Sequence, residues 1–227
     1  MNRKLYVSIA VIALVSLACS ISPLISTNGS GSTPVVVGGS NSSGGVLYQD
    51  DFSDNGSGWP KESSSDVRDY SNGSYRIYVT GTYSDLIADA GTSLPADVAI
   101  DVDITLNSGS ENNDFGVVCR LQDMNNFYFF QISSDGFAVI GKFVDNEMHY
   151  LSGESMMKVD GIYSGNTTNH MKAVCDGSSF YLYANGNLVA STTDTSFTSG
   201  GDVGLMAGTF DVGGVDVYFD NFVVTAP

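Results

Sequence analysis

VAIDVDITL, residues Val98 to Leu106, decides the fold: Val98, Ile100, Val102, Ile104 and Leu106 share one side, while Asp97, Ala99, Asp101, Asp103 and Thr105 share the other. Successive side chains of a strand point to opposite faces, so this stretch is a strand with a core face and a polar face. Similar short runs precede and follow it, at Val46–Phe52, Ser74–Val79, Ser84–Asp89, Phe115–Leu121, Phe127–Ile132, Phe137–Val144 and Glu147–Leu151. They continue at His170–Cys175, Phe180–Ala184, Leu188–Thr192, Val203–Ala207 and Val215–Val224. Turn-forming pairs punctuate the runs: Asn72-Gly73, Asp135-Gly136, Asp176-Gly177 and Asn185-Gly186. With no convincing amphipathic helix, the pattern predicts an all-β, two-sheet antiparallel sandwich or jelly roll.

The hairpins predict faces as well as strands, because opposed residues of an antiparallel pair point to the same side. With Asp135-Gly136 as a two-residue turn, Phe130 opposes Gly141 and Phe129 opposes Lys142. Tyr128, Phe130, Ile132, Val139 and Phe143 then form an apolar side, joined by Val117, Cys119 and Leu121 from the preceding strand. The turn after Cys175 places Met171, Ala173, Cys175, Phe180 and Leu182 on a core face. The opposite, non-core face gathers Arg120, Phe129, Gln131, Lys142, His170, Lys172, Tyr181 and Tyr183. Aromatic rings beside hydrogen-bonding groups suit sugars, which offer apolar C–H faces and many hydroxyls. These eight residues are therefore the candidate carbohydrate-binding set. The alternative is an outer sheet face partly covered by loops, with the aromatics as packing. A disulfide between two different sheets would point Arg120 and Lys172 away from each other.

The formal charge is −16 with a pI near 4.1. Such a field repels nucleic acid and anionic headgroups, so nucleic acid is not an expected partner. Gly, Tyr, Phe, Thr and Val are plentiful, which favours strands and turns over helices. The chain begins with the layout of a secretory signal: Arg3 and Lys4, an apolar run from Leu5 to Leu17, then Ala18 before Cys19. That run falls short of the ~20 apolar residues of a permanent span. Residues 1–18 are read as a signal peptide, and residues 19–45, rich in Ser, Gly, Thr and Asn, as a flexible tether. Residues 46–227 form the domain. Two further cysteines, Cys119 and Cys175, each sit in an apolar strand-like run. In an oxidising compartment they most simply form one disulfide, with shared metal binding the weaker alternative.

The segment Ser16-Leu17-Ala18-Cys19 resembles a bacterial lipobox, which implies lipidation of Cys19 and anchoring to the membrane at the cell surface. The family prefers Leu where this chain has Ser16. From about Asp50 onward the chain resembles the concanavalin A-like lectin/glucanase superfamily, and more closely the laminin-G-like and 3-keto-disaccharide-hydrolase-like sandwiches of bacterial surface lipoproteins. The segments that carry this likeness are DDFSDNGSGW (Asp50 to Trp59), NGSYRIYV (Asn72 to Val79), NNFYFFQISSDGFAVIGK (Asn125 to Lys142) and NHMKAVCDGSSFYLYANGNLVA (Asn169 to Ala190). GDVGLMAGTF (Gly201 to Phe210) and VDVYFDNFVV (Val215 to Val224) complete the set. The resemblance implies a jelly roll with a concave sheet face that holds sugar. It speaks to fold more than to activity, because the fold hosts both lectins and hydrolases.

Catalytic signatures are lacking. Glycosidases need two flanking carboxyl groups, and the glutamates Glu62, Glu111, Glu147 and Glu154 do not form the Glu-x-Asp-x-(x)-Glu strand of the superfamily's glucanases. Asp101 and Asp103 share a strand face, but their neighbours Asp97 and Thr105 suggest a solvated surface. With His149 and His170 as the histidines, a histidine-rich metal centre is excluded. Acidic clusters at Asp50, Asp51, Asp54 and at Asp211, Asp216, Asp220 are the calcium candidates that related sandwiches suggest, although neither forms an EF-hand loop. Trp59, the single tryptophan, is expected to pack the end of the sandwich rather than to serve as a sugar platform. The expected function is a surface-anchored, non-catalytic module for a polysaccharide or glycan. The competing expectations are a structural or adhesive envelope protein and a glycoside hydrolase.

Overall fold

The computed structural model describes residues 45–227, and among them there is no helix. The expected signal peptide, the tether up to Gly44 and Cys19 lie outside the described residues. Sixteen strands follow in chain order: β1 (Val46–Asp50), β2 (Glu62–Ser63), β3 (Val67–Ser71), β4 (Ser74–Val79), β5 (Asp85–Asp89), β6 (Val98–Ser108), β7 (Asp114–Asp123) and β8 (Asn126–Ser133). Then come β9 (Phe137–Val144), β10 (Glu147–Tyr150), β11 (Met157–Lys158), β12 (Asn169–Asp176), β13 (Ser179–Ala184), β14 (Asn187–Thr193), β15 (Asp202–Gly208) and β16 (Val215–Thr225). All thirteen runs read from the sequence are strands. The short β2, β3 and β11 are additions.

The strands form two antiparallel sheets. The nine-stranded sheet runs β14-β13-β12-β6-β16-β4-β3-β2, with β1 pairing the C-terminal half of β16. The seven-stranded sheet runs β10-β9-β8-β7-β15-β5, with β11 also on β9. The all-β jelly-roll sandwich predicted from periodicity is thus the observed fold. β6 behaves as its alternation requires: Val98, Ile100, Val102, Ile104 and Leu106 are buried between the sheets, and Asp101, Asp103 and Thr105 are half-buried outside. Two-residue turns close several hairpins. Asn72-Gly73 and Asn185-Gly186 both take positive φ at each central residue, the geometry that Asn-Gly supplies with little strain.

Cys119 on β7 and Cys175 on β12 are bonded, so the disulfide staples one sheet to the other. At the N-terminal end Trp59 is buried against Phe52, Tyr75 and Phe222, and its indole N–H donates to Tyr48 Oη at 2.9 Å. Its role is packing, as expected, and truncating such an aromatic typically costs about 3–5 kcal/mol.

The β8–β9 register corrects the sequence reading. Phe130 opposes Ile140, Phe129 opposes Gly141, and Tyr128 opposes Lys142. The connection holds three residues, Ser134 to Gly136, with Gly136 at φ +90° and its N–H bonded to Ser133 O. One extra loop residue shifts the pairing by one and turns every β9 side chain over. Val139 and Phe143 therefore leave the inter-sheet core, and Lys142 turns inward. Leu121 also moves outward, because β7 bulges after Cys119 and Arg120 there adopts φ +48°. The displaced residues join a second apolar cluster with Val118, Phe127, Phe129 and Met206, on the side of the seven-stranded sheet turned away from the core.

Candidate functional site

The eight candidate residues do not share one face. Arg120, Phe129, Gln131 and Lys142 belong to the seven-stranded sheet, and His170, Lys172, Tyr181 and Tyr183 to the nine-stranded sheet. Both sheets turn their apolar sides toward each other, so their outer faces look in opposite directions. The inter-sheet disulfide fixes this arrangement.

The first four are occupied by the fold. Arg120 is buried at the sandwich end, where its guanidinium donates to the carbonyls of Ala96, Phe197 and Gly177, each at 2.8 Å, and to Asp97 Oδ1 at 3.2 Å. It lies 5.1 Å from the Phe180 ring centroid. A planar fork with five N–H donors suits a cluster of carbonyls from three separate loops. Lys142 Nζ donates to Asp194 Oδ2 at 2.6 Å and Ser196 Oγ at 2.7 Å, while Tyr128 Oη donates to Asp194 Oδ1 at 2.6 Å. Burial would raise the Asp194 carboxyl, but these hydrogen bonds outweigh it and hold the group far below the usual carboxylate range. Burial, with the Asp194 charge beside it, pushes the Tyr128 phenol up to about 12. Phe129 is buried within the second apolar cluster, and Gln131 is buried with its Nε2 donating to Asp114 Oδ1 at 3.0 Å.

The other four lie together and are accessible. β12 sits between β6 and β13, so Lys172 opposes Asp101 on one side and Tyr183 on the other, while His170 opposes Asp103. Lys172 Nζ donates to Asp101 Oδ2 at 2.9 Å. The His170 ring spans both carboxylates, with Nδ1 2.8 Å from Asp103 Oδ1 and Nε2 3.2 Å from Asp101 Oδ1. Asn221 Nδ2, on the bulge of β16, donates to the second oxygen of Asp103 at 2.9 Å. Burial, and then the charge of Asp103, raises the neighbouring Asp220 carboxyl. The result is a polar ladder across three strands. Tyr181 and Tyr183 flank it, half-exposed, and Leu188, opposite Tyr183 on β14, is 54% exposed. A depression of about 420 Å³ between Lys158–Gly161 and Asn187–Val189 adjoins Leu188. Sequence reasoning missed Leu188 and undervalued Asp101 and Asp103. The period-2 pattern contained the signal for Asp101 and Asp103, which fall on the outward parity of β6, whereas Leu188 has the inward parity of Ala190 and Thr192 and comes opposite Tyr183 only through the bulge that shifts the β13–β14 register.

The acidic clusters have local duties. Asp50, Asp51 and Asp54 each accept the backbone N–H two residues on, at 2.7–3.0 Å. Asp216 pairs with Arg76 at 2.7 Å, and Asp211 accepts from Asn112 at 3.4 Å. Among the described residues no group of three or more His, Cys, Asp or Glu side chains is placed to hold a metal ion.

No family model matches the chain, and no curated protein matches its sequence. Similarity appears among solved structures. The carbohydrate-binding module CBM66 from Bacillus subtilis matches with a TM-score of 0.59 and 19% identity, over 75% of this chain and 96% of that one. A Bacillus subtilis protein of unknown function with a galectin-like fold matches at 0.59 and 12% identity, over 82% and 97%. The CBM2 module of the evolved Dit protein from Lactobacillus casei BL23 phage J-1 matches at 0.56 and 11% identity, over 81% and 96%. At these identities the likeness is one of fold: a galectin-like jelly-roll sandwich, consistent with the concanavalin A-like architecture.

Proposed function

We propose that this chain is a non-catalytic carbohydrate-binding module, displayed at the cell surface on a lipid anchor at Cys19. Glycan contact is made by the outer face of the nine-stranded sheet. Tyr181, Tyr183 and Leu188 supply apolar surface for sugar C–H faces, and Lys172, His170, Asp101 and Asp103 supply donors and acceptors for hydroxyls. The observation that carries this reading is the pairing of half-exposed Tyr183 with Lys172, beside an unbroken polar ladder and a polar depression. The presence of carbohydrate-binding modules among the structural neighbours supports the same class of ligand. Both strand carboxylates of the face are held by His170, and Asp101 also by Lys172, an arrangement suited to hydrogen bonding rather than to an acid and a nucleophile of differing protonation.

A glycan array followed by calorimetry on the full chain tests the reading. Saturable binding to a polysaccharide, weakened by Tyr183→Ala, supports it, and no binding to any glycan overturns it. The anchor is tested separately: Cys19→Ala should release the protein from the membrane fraction, and retention of that variant would remove the lipid from the proposal.

A further inference from the structure

The pairing of β12 with β6 sets His170 opposite Asp103 and Lys172 opposite Asp101, all four on the outer side of the nine-stranded sheet. His170 lies across both carboxylates, with Nδ1 2.8 Å from Asp103 Oδ1 and Nε2 3.2 Å from Asp101 Oδ1. An ionised carboxylate only accepts hydrogen bonds, and a neutral imidazole carries a single N–H. Both contacts are hydrogen bonds at once when each ring nitrogen carries a proton. With one proton gone, a ring lone pair faces a carboxylate oxygen, and that contact becomes repulsive. The side chain is 51% exposed, so the ring can turn away without disturbing the core.

The groups around the ring leave this dependence on its proton intact. Along β12, the Lys172 ammonium donates to Asp101 Oδ2 at 2.9 Å. Toward β13 the neighbour is Asn185, an uncharged amide whose Oδ1 accepts the His170 backbone N–H at 2.9 Å. Tyr183 lies farther along β13, opposite Lys172. Beyond β6, Asn221 Nδ2 donates to Asp103 Oδ2 at 2.9 Å, and Asp220 opposes Asp103 with Asp51 near enough to act on it. Under the doubly protonated ring, both oxygens of Asp101 and both of Asp103 therefore have a protein donor. When the ring turns away, the Oδ2 atoms keep their donors and the Oδ1 atoms lose theirs. A carboxylate oxygen released in this way is a strong acceptor for a sugar hydroxyl.

We infer that His170 is a proton-operated latch on this face: the doubly protonated ring closes Asp101 Oδ1 and Asp103 Oδ1, and loss of a ring proton to solvent opens them to ligand hydroxyls. The identity of the ligand rests on the glycan reading above, whereas the latch itself does not. Affinity then rises with pH across the range in which histidine ordinarily changes charge, about pH 5 to 8. On the full chain, two-dimensional NMR follows the His170 ring nitrogens and the Asp101 and Asp103 carboxyl carbons over that range. Both nitrogens should be protonated at the acid end, and the two carboxyl signals should move as the ring loses its proton. His170→Ala should abolish that movement, and Asp220→Asn should keep it. Carboxyl signals that stay still while the ring titrates, that move alike in His170→Ala, or that stop moving in Asp220→Asn overturn the latch. With the tightest polysaccharide of the array as probe, the parent should bind about five-fold more weakly at the acid end, and His170→Ala equally at both ends. Equal parent affinity at both ends, or a pH dependence kept in His170→Ala, also overturns it. If no glycan binds, the sugar reading falls and the carboxyl signals alone decide the latch.

Discussion

Cys119 and Cys175 are bonded across the sandwich, from β7 of one sheet to β12 of the other, with a sequence separation of 56. Each cysteine therefore marks the inner side of its strand, and the residues after and before it, Arg120 and Val174, do not meet. The bond also divides the candidate sugar residues into an occupied half and an accessible half. Chain-entropy reasoning puts the value of closing such a loop at about 4 kcal/mol. Replacing both cysteines by alanine should lower the stability by about 2–5 kcal/mol, read as a drop in the urea midpoint. An unchanged midpoint would mean that the interlocked cores alone hold the sheets in register.

The Asp194 network gives the protein an acid-sensitive clasp. Lys142 and Tyr128 on the seven-stranded sheet both donate to this carboxylate, whose loop also supplies the Phe197 carbonyl to Arg120. The folded carboxyl lies below its unfolded value, so its stabilisation is fully present above the ordinary Asp range, near ~3.9. It is lost as pH falls through that range toward the folded value. Asp194→Asn should cost about 1–3 kcal/mol at neutral pH and flatten the acid limb of a stability–pH curve. A variant whose acid limb matches the parent would show that other carboxylates govern acid unfolding.

Arg120 is the clearest case where the sequence shows the chemistry but not the position of the side chain. A lone arginine between Cys119 and Leu121 reads as an outward basic residue, because alternation assumes an unbroken strand. The bulge at φ +48° breaks that alternation and swings the side chain into the sandwich end, where four acceptors await it. The same limit applies to β9. Its period-2 pattern is plain, but whether Lys142 points in or out depends on one loop residue at Ser134–Gly136, and Val139 and Phe143 are as apolar as a core strand demands. By contrast β6, β12 and β13 carry polar residues at most outward positions, Ala99 and Val174 being the exceptions, so their faces are legible in the sequence. Sequence periodicity thus locates thirteen of the sixteen strands, missing β2, β3 and β11, and gives their faces where one side is mostly polar and no bulge intervenes.

Arg120→Lys tests the buried fork directly. Lysine keeps the charge but offers three donors on a flexible stem, and cannot serve the carbonyls of Ala96, Phe197 and Gly177 together. The substitution should destabilise by about 3 kcal/mol, the scale of disrupting a buried charge's partners. A thermal melt with little change would place the stabilising role of this end elsewhere.

Gly141 tests the second apolar layer. A Cβ there would overlap the edge of the Phe129 ring and the His149 carbonyl, so the glycine is a packing requirement of Phe129 rather than a turn residue. Gly141→Ala should cost about 1–3 kcal/mol through overpacking. The paired change Gly141→Ala with Phe129→Leu should recover part of that loss. Recovery absent in the double variant would indicate that the backbone contact with His149, not the ring, sets the limit.

The accessible face can be separated from all of these structural roles. Tyr183 and Lys172 oppose each other on neighbouring strands with half-exposed side chains, and their removal leaves the core residues Leu182 and Ala173 untouched. Exposed ion pairs such as Lys172–Asp101 contribute about 0–1 kcal/mol to stability, so Lys172→Ala and Tyr183→Ala should melt within a few degrees of the parent, roughly as that range implies. A stacking ring or a charge-assisted hydrogen bond to a sugar is worth more in binding, and each variant should weaken glycan affinity by about ten-fold. Phe129→Leu, on the opposite side of the sandwich, supplies the control: it should lower the melting temperature and leave glycan affinity unchanged. The opposite pattern, with affinity lost in Phe129→Leu and kept in Tyr183→Ala, would move the sugar site to the seven-stranded sheet.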